Sequence, residues 1–120
     1  MKDSLRTKEM AEKIELYKAE HAGEVSTGCA LCTKPALETF TYWKITENKF
    51  PYDLIASTHH MIMPLRHATE TELTMEEWKE YQEIKHSKLQ EYDYIVEGTS
   101  KTKSIPAHFH IHLLIGKGPQ

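Results

Sequence analysis

The amino-acid sequence predicts an α+β domain, an antiparallel sheet with helices packed on it. Three observations carry this expectation. Short segments of period-two or β-rich character occur in two pairs, each pair joined by a short turn. A capping-box signature, Thr74-Met75-Glu76-Glu77, opens a helix between the pairs. A helical repeat precedes the first pair. The order is helix, two strands, helix, two strands, which suits an antiparallel sheet rather than a parallel one.

The first helix is expected over residues 5–21. Met10, Ile14, Tyr17 and His21 recur at helical spacing with Lys and Glu between them, and Ala22-Gly23 ends the run. Residues 22–38 are loop-like, with Gly23, Gly28, Pro35 and two cysteines. The chain therefore divides into an N-terminal helical extension, 1–28, and a main domain, 29–120. Residues 40–46 form a first strand, 47–53 a turn, and 55–63 a second strand. Pro64 stops that strand because it has no N–H for the ladder. The second helix runs from Met75 to Gln90, with Trp78, Tyr81, Lys85 and Leu89 on its inner side and Ile84 at the margin. A third strand, 92–96, closes at Gly98; a polar loop, 98–104, leads to a fourth, 107–115. No internal repeat or low-complexity segment interrupts this order.

Composition narrows the class. At 120 residues the chain has the length for one core. A net charge of −3 argues against a binder of duplex nucleic acid or anionic membranes, which works by neutralising phosphates with Lys and Arg. No apolar run approaches the roughly 20 residues of a membrane span. The N-terminus has no apolar signal region, and the expected location is the cytoplasm. In that reducing setting Cys29-Ala30-Leu31-Cys32 is a metal half-site or a redox pair, not a structural disulfide.

The chemistry concentrates in His108-Phe109-His110-Ile111-His112-Leu113-Leu114. In a strand the three imidazoles share one face, about 6–7 Å apart, and Phe109, Ile111 and Leu113 share the other. Charging all three would set like charges against each other. A role that gives each histidine a different state is therefore expected.

This run resembles the motif that names the histidine triad (HIT) superfamily. Upstream, His59-His60-Met61-Ile62-Met63-Pro64-Leu65-Arg66-His67 resembles that superfamily's other signature, and Cys29-x-x-Cys32 resembles its zinc-binding branch. The three signals span residues from about 29 to 115 in the family order. The resemblance implies a five-stranded antiparallel sheet with two helices, usually in a homodimer. The expected fold is thus a HIT-like sheet of four to five strands with two helices and an N-terminal helical extension. Any fifth strand would lie in 32–38 or in the tail.

The resemblance also implies an activity: hydrolysis or transfer of a nucleotidyl group through a nucleotidyl-histidine intermediate. A neutral imidazole is available as nucleophile near neutral pH, and a covalent intermediate splits one hard step into two. Carried over residue by residue, His110 matches the nucleophile. His112 matches the residue at the phosphate and leaving group, and His59 the upstream active-site histidine. The carbonyl of His108 would orient His110. His60, on the opposite side of its strand, is the weaker candidate. Asn48, Asp53 and Ser104 stand near the substrate-binding positions of the family, although Ser104 lies one place upstream of the usual hydroxyl. Trp43, Phe50 and Tyr52 are candidates either for base stacking or for ordinary core packing. Cys29, Cys32, His67 and His108 match the four ligands of a structural zinc. Exposed aromatics such as Trp43 and Trp78 offer surface for a dimer. The implied substrate is a nucleotide conjugate: a phosphoramidate, an aminoacyl-nucleotide or a dinucleoside polyphosphate. Two other readings stay open: a nucleotide-binding module that acts through a protein partner, and a metalloprotein with its metal on His108, His110 and His112.

Overall fold

The computed structural model describes residues 4–23, 29–99, 101 and 105–118. In chain order it forms α1 (Lys8–Glu20), α2 (Ala30–Thr33), β1 (Glu38–Thr39), β2 (Trp43–Glu47), β3 (Ala56–Pro64), α3 (Met75–Lys85), β4 (Tyr94–Val96) and β5 (Ile111–Gly116). Tight 3-10 turns at Glu70–Glu72 and Lys88–Glu91 flank α3. The five strands make one antiparallel sheet in the order β1-β2-β3-β5-β4. The additional strand implied by the HIT resemblance is β1, at the end of the 32–38 segment.

Several boundaries differ from the sequence expectation, each for a local reason. β2 begins at Trp43 because residues 40–42 form a hairpin turn: Phe40 N–H bonds Trp43 O, and the Glu80 carboxylate accepts from the N–H groups of Thr41 and Tyr42. α3 stops at Lys85. Ser87 leaves helical geometry, and its hydroxyl bonds back to the carbonyl oxygens of Glu83 and Ile84. β5 begins at Ile111, so His108–His110 enter the sheet without a ladder of their own. At the other end of α3 the expected cap is present: Glu77 N–H donates to Thr74 Oγ1, and the Glu77 carboxylate accepts from Thr74 N–H.

Period two divides the sheet into two unlike faces. One face holds the main core: Trp43, Ile45, Ile62, Phe109, Ile111 and Leu113, closed by Tyr81 and Ile84 of α3 and by Leu89. Ile84 is buried at the centre of this contact rather than marginal, and Lys85 is only partly covered. Trp43 is likewise not an exposed aromatic. It is fully buried, packs against Tyr81, Trp78 and Phe109, and donates its indole N–H to Glu77 O over 2.7 Å. Trp78 is half-buried. His60 points to this face too, with Nδ1 2.7 Å from the Tyr92 hydroxyl.

The second face carries a smaller cluster, Leu31 of α2 on Met61 and Met63. The same face presents His59 and His112. α1 follows the predicted stripe, with Met10, Ile14, Tyr17 and His21 half-covered, but it buries no residue. Its N-terminus instead bonds to the turn between β2 and β3.

Candidate active site and metal centre

The β3–β5 register builds the site. Met61 lies opposite His112 and His59 opposite Leu114, so His59 and His112 share a face one residue pair apart. His59 Nε2 lies 2.7 Å from His112 Nδ1. The backbone decides which nitrogen carries each proton. Tyr52 N–H donates to His59 Nδ1 over 3.0 Å, so neutral His59 keeps its proton on Nε2 and donates it to His112 Nδ1. His112 then holds its own proton on Nε2, which donates to the Tyr52 hydroxyl oxygen across a long 3.3 Å. Asn48 stands at the same edge. Its Oδ1 accepts from Phe50 N–H, and its amide nitrogen approaches His59 Nε2 at 3.3 Å.

Burial above all, then the neighbouring His112 and Arg6, pushes His59 down to about 3. It is therefore neutral at neutral pH, as its bond from Tyr52 N–H requires. His110 is buried and donates Nδ1–H to the carbonyl oxygen of His108 over 3.0 Å, so the lone pair is on Nε2. The rings of His110 and His112 stand edge to face, with centroids 5.3 Å apart. A neutral imidazole nitrogen and an imidazole N–H thus converge on one surface, the pairing needed to attack an electrophile and support a departing atom.

His108 turns away from this pair. Its Nε2–H donates to Pro64 O over 2.9 Å, and its Nδ1 faces Cys29 Sγ at 3.5 Å and Cys32 Sγ at 3.4 Å. His67 Nδ1 lies 3.4 Å from Cys32 Sγ. The ligand atoms of Cys29, Cys32, His67 and His108 all fall within 4.8 Å of one another. A tetrahedral cation with two thiolates and two imidazoles needs neighbouring ligands roughly 3.5 Å apart. The cluster fits a metal on both donor chemistry and spacing. The Pro64 bond is the outer contact that fixes which His108 nitrogen can bind the metal. Desolvation and the adjacent Cys29 push the Cys32 thiol up, so a cation would bind by displacing thiol protons. Because both His108 nitrogens are committed here, a metal shared by His108, His110 and His112 has no geometric basis.

The structure thus brings His59, His110, His112 and Asn48 together, and separately Cys29, Cys32, His67 and His108. Asp53 is elsewhere occupied. Its two carboxylate oxygens accept from Thr7 N–H at 2.8 Å and Thr7 Oγ1–H at 2.7 Å, bonds that hold its carboxyl below the usual range. Ser104 lies outside the described residues. Phe50 packs on Tyr17 of α1. Tyr52, a candidate for base stacking or core packing, contacts both His59 and His112 with ring centroids 4.2 and 5.0 Å away. Arg6 was not singled out by sequence reasoning, since nothing in a lone arginine at position 6 points to a cleft.

No family model matches the sequence, and no curated protein matches it. Solved structures share its fold. A HIT family hydrolase from Legionella pneumophila Philadelphia 1 aligns with a TM-score of 0.56 at 22% identity, covering 78% of this chain and 95% of that one. A histidine triad protein from Clostridium difficile gives 0.55 at 17% identity, over 80% and 96% of the two chains. A HIT family hydrolase from Clostridium thermocellum gives 0.54 at 17%, over 80% and 98%. The chain therefore has a HIT-like α+β fold. Among the described residues, no helix is long and apolar enough to cross a membrane.

The His59 environment predicts a pH dependence. Between about pH 3 and 6.5 the unfolded chain binds a proton that folded His59 excludes. Stability therefore rises with pH through this window, is complete above it, and is lost as pH falls. Each unit of the depression is worth about 1.4 kcal/mol. His59→Gln should flatten the rise of melting temperature between about pH 5 and 6.5, above the ordinary carboxylate range. Parallel slopes for the two proteins in thermal melts would contradict this account.

Proposed function

We propose that this protein is a nucleotide hydrolase or nucleotidyltransferase of the histidine triad kind, acting at the α-phosphate of a nucleotide conjugate. The observation that carries the reading is the division of labour between His110 and His112. His110 presents an unprotonated Nε2 because its Nδ1–H is held by His108 O, and beside it His112 presents Nε2–H. In the first step His110 Nε2 attacks the α-phosphorus. A P–N bond forms, and the bond to the leaving group breaks with its electron pair. His112 Nε2–H donates a hydrogen bond to the departing atom, exchanging its long contact to Tyr52 for a charged acceptor. Neutral His59 holds His112 in that tautomer. Water then attacks phosphorus, the P–N pair returns to His110, and a water proton passes to solvent. With another nucleophile in place of water the same intermediate supports transfer.

His110→Ala removes the attacking atom while leaving the pocket. Turnover of an adenosine 5′-phosphoramidate or a dinucleoside polyphosphate should fall by roughly 10³-fold or more. Calorimetric binding of adenosine monophosphate should survive. Wild-type turnover in this variant would exclude the covalent route. A wild type that binds nucleotide and cleaves neither substrate would favour the nucleotide-binding module acting through a partner.

The cation suited to Cys29, Cys32, His67 and His108 is zinc, and its role structural, because the four protein ligands leave no open position. It would tie the loop before β1 to the segment that carries His110, so that binding energy becomes folding energy. Cys29→Ser should lower both zinc content and melting temperature. Unchanged zinc by elemental analysis would reject the assignment.

A homodimer belongs to the same reading. β4 is a sheet edge, and its Tyr94 and Ile95 are 63% and 39% exposed, an apolar edge of the kind that pairs with another chain. Light scattering should give about twice 14.0 kDa. A monomer at micromolar concentration would remove this part of the proposal.

A further inference from the structure

α1 poses a physical question. The helix buries none of its residues, so adding to the core does not account for its docking. Yet the segment that leads into it is pinned firmly to the turn between β2 and β3. Leu54 N–H donates to Leu5 O over 3.2 Å, and Arg6 Nε–H to Phe50 O over 2.9 Å. Thr7 gives both its N–H and its hydroxyl to the Asp53 carboxylate. Thr7 also caps α1 by accepting from Met10 N–H, so helix start and anchor are one residue. These bonds hold the guanidinium of Arg6 over the Tyr52 ring, with Cζ 4.6 Å from the centroid.

Successive contacts connect Arg6 to the triad through Tyr52. From His110 it is 5.3 Å to His112, 5.0 Å from His112 to Tyr52, and 4.6 Å from Tyr52 to Arg6. The leaving group departs away from His110, and the His112 proton aimed at the Tyr52 hydroxyl marks its first atom. The Tyr52 ring that carries this hydroxyl also carries the Arg6 cation. We propose that Arg6 is a specificity residue that binds an anionic, phosphate-bearing leaving group, making a nucleoside polyphosphate the substrate class of this site. This inference rests on the hydrolase reading and deepens it.

Two further observations agree. A neutral amine leaving group needs a full proton on departure. His112 has one proton to share and accepts another hydrogen bond at Nδ1 from a His59 held neutral, so it is a hydrogen-bond donor rather than a strong acid. A phosphate oxygen leaving from an anhydride is stable as an anion and needs only hydrogen bonds and positive charge. Lys49 lies on the β2–β3 turn, with Nζ 3.7 Å from the Tyr17 ring centroid, so the turn that anchors Arg6 carries a second cation. A guanidinium meets phosphate oxygens through paired N–H groups, which a lone ammonium cannot reproduce.

The test compares two leaving groups in the full-length chain. Arg6→Gln keeps a donor of similar reach toward Phe50 and removes only the charge; Arg6→Lys keeps the charge and loses the fork. For a diadenosine polyphosphate, kcat/KM should drop about 10- to 100-fold in Arg6→Gln, with partial recovery in Arg6→Lys. For adenosine 5′-phosphoramidate it should stay within about twofold. Equal losses on both substrates, or no loss on either, would overturn the proposal. A second measurement is independent of turnover: in the His110→Ala background, Arg6→Gln should weaken calorimetric binding of the polyphosphate about tenfold or more and leave adenosine monophosphate unchanged. If the wild type cleaves neither substrate, the hydrolase reading fails on that result. The binding comparison then decides Arg6 by itself, and equal weakening of both ligands would reject its role.

Discussion

His108 donates its Nε2–H to the carbonyl oxygen of Pro64 over 2.9 Å, and both residues are fully buried. Much of the site follows from this bond. It ties the segment entering β5 to the end of β3, where Pro64 closes the strand. It leaves the His108 lone pair on Nδ1, toward the two thiols. It holds still the peptide whose carbonyl oxygen receives Nδ1–H from His110. One buried imidazole thus links the four-ligand cluster to the proposed nucleophile through its own backbone. Loss of that bond would leave a buried N–H without an acceptor and free the carbonyl that orients His110, so its cost would be both structural and chemical.

The sheet keeps these tasks apart by simple alternation. Phe109, Ile111 and Leu113 go to the thick core under α3, and His108, His110 and His112 to the thin face under α2. Polar side chains gathered on the thin face have backbone within reach. Tyr52 N, His108 O and Pro64 O all serve as partners for histidine nitrogens. On the core face His60 meets a tyrosine hydroxyl instead, and burial lowers its pKa. The fold needs only apolar volume on one side and this set of partners on the other. That explains how chains of 15–22% identity share it.

Much of this was legible in the sequence because it rests on short-range pattern. Strand alternation assigned the triad's faces, the Pro64 stop and the Thr74 cap were local, and the Cys-x-x-Cys spacing announced a pair of donors. The additional strand was harder, since two residues at Glu38–Thr39 carry no periodicity. Trp43 was misjudged because aromatic content says nothing of which side a helix will cover. Asp53, a substrate candidate in the sequence, bonds in the structure to Thr7, a partner 46 residues away that no local pattern announces. Arg6 and the hydrogen bonds of Tyr52 were invisible for the same reason: they exist only once the β2–β3 turn and the N-terminal segment meet.

Three imidazoles in one short run would repel if all were charged, and the structure avoids this by giving each a different partner. His108 is fixed by a carbonyl on one nitrogen and thiols on the other. His110 is fixed by the His108 carbonyl. His112 is fixed by a neutral histidine whose own tautomer is dictated by the Tyr52 peptide N–H. None of these states requires a nearby carboxylate, and the one acidic residue considered for this region is bound to Thr7. Those bonds keep Asp53 ionised at the N-terminal anchor, and Arg6 sets a cation over the Tyr52 ring. An arrangement of neutral donors near the reacting atom, with a cation beyond it, favours a substrate that brings its own negative charge and carries it away on the departing side.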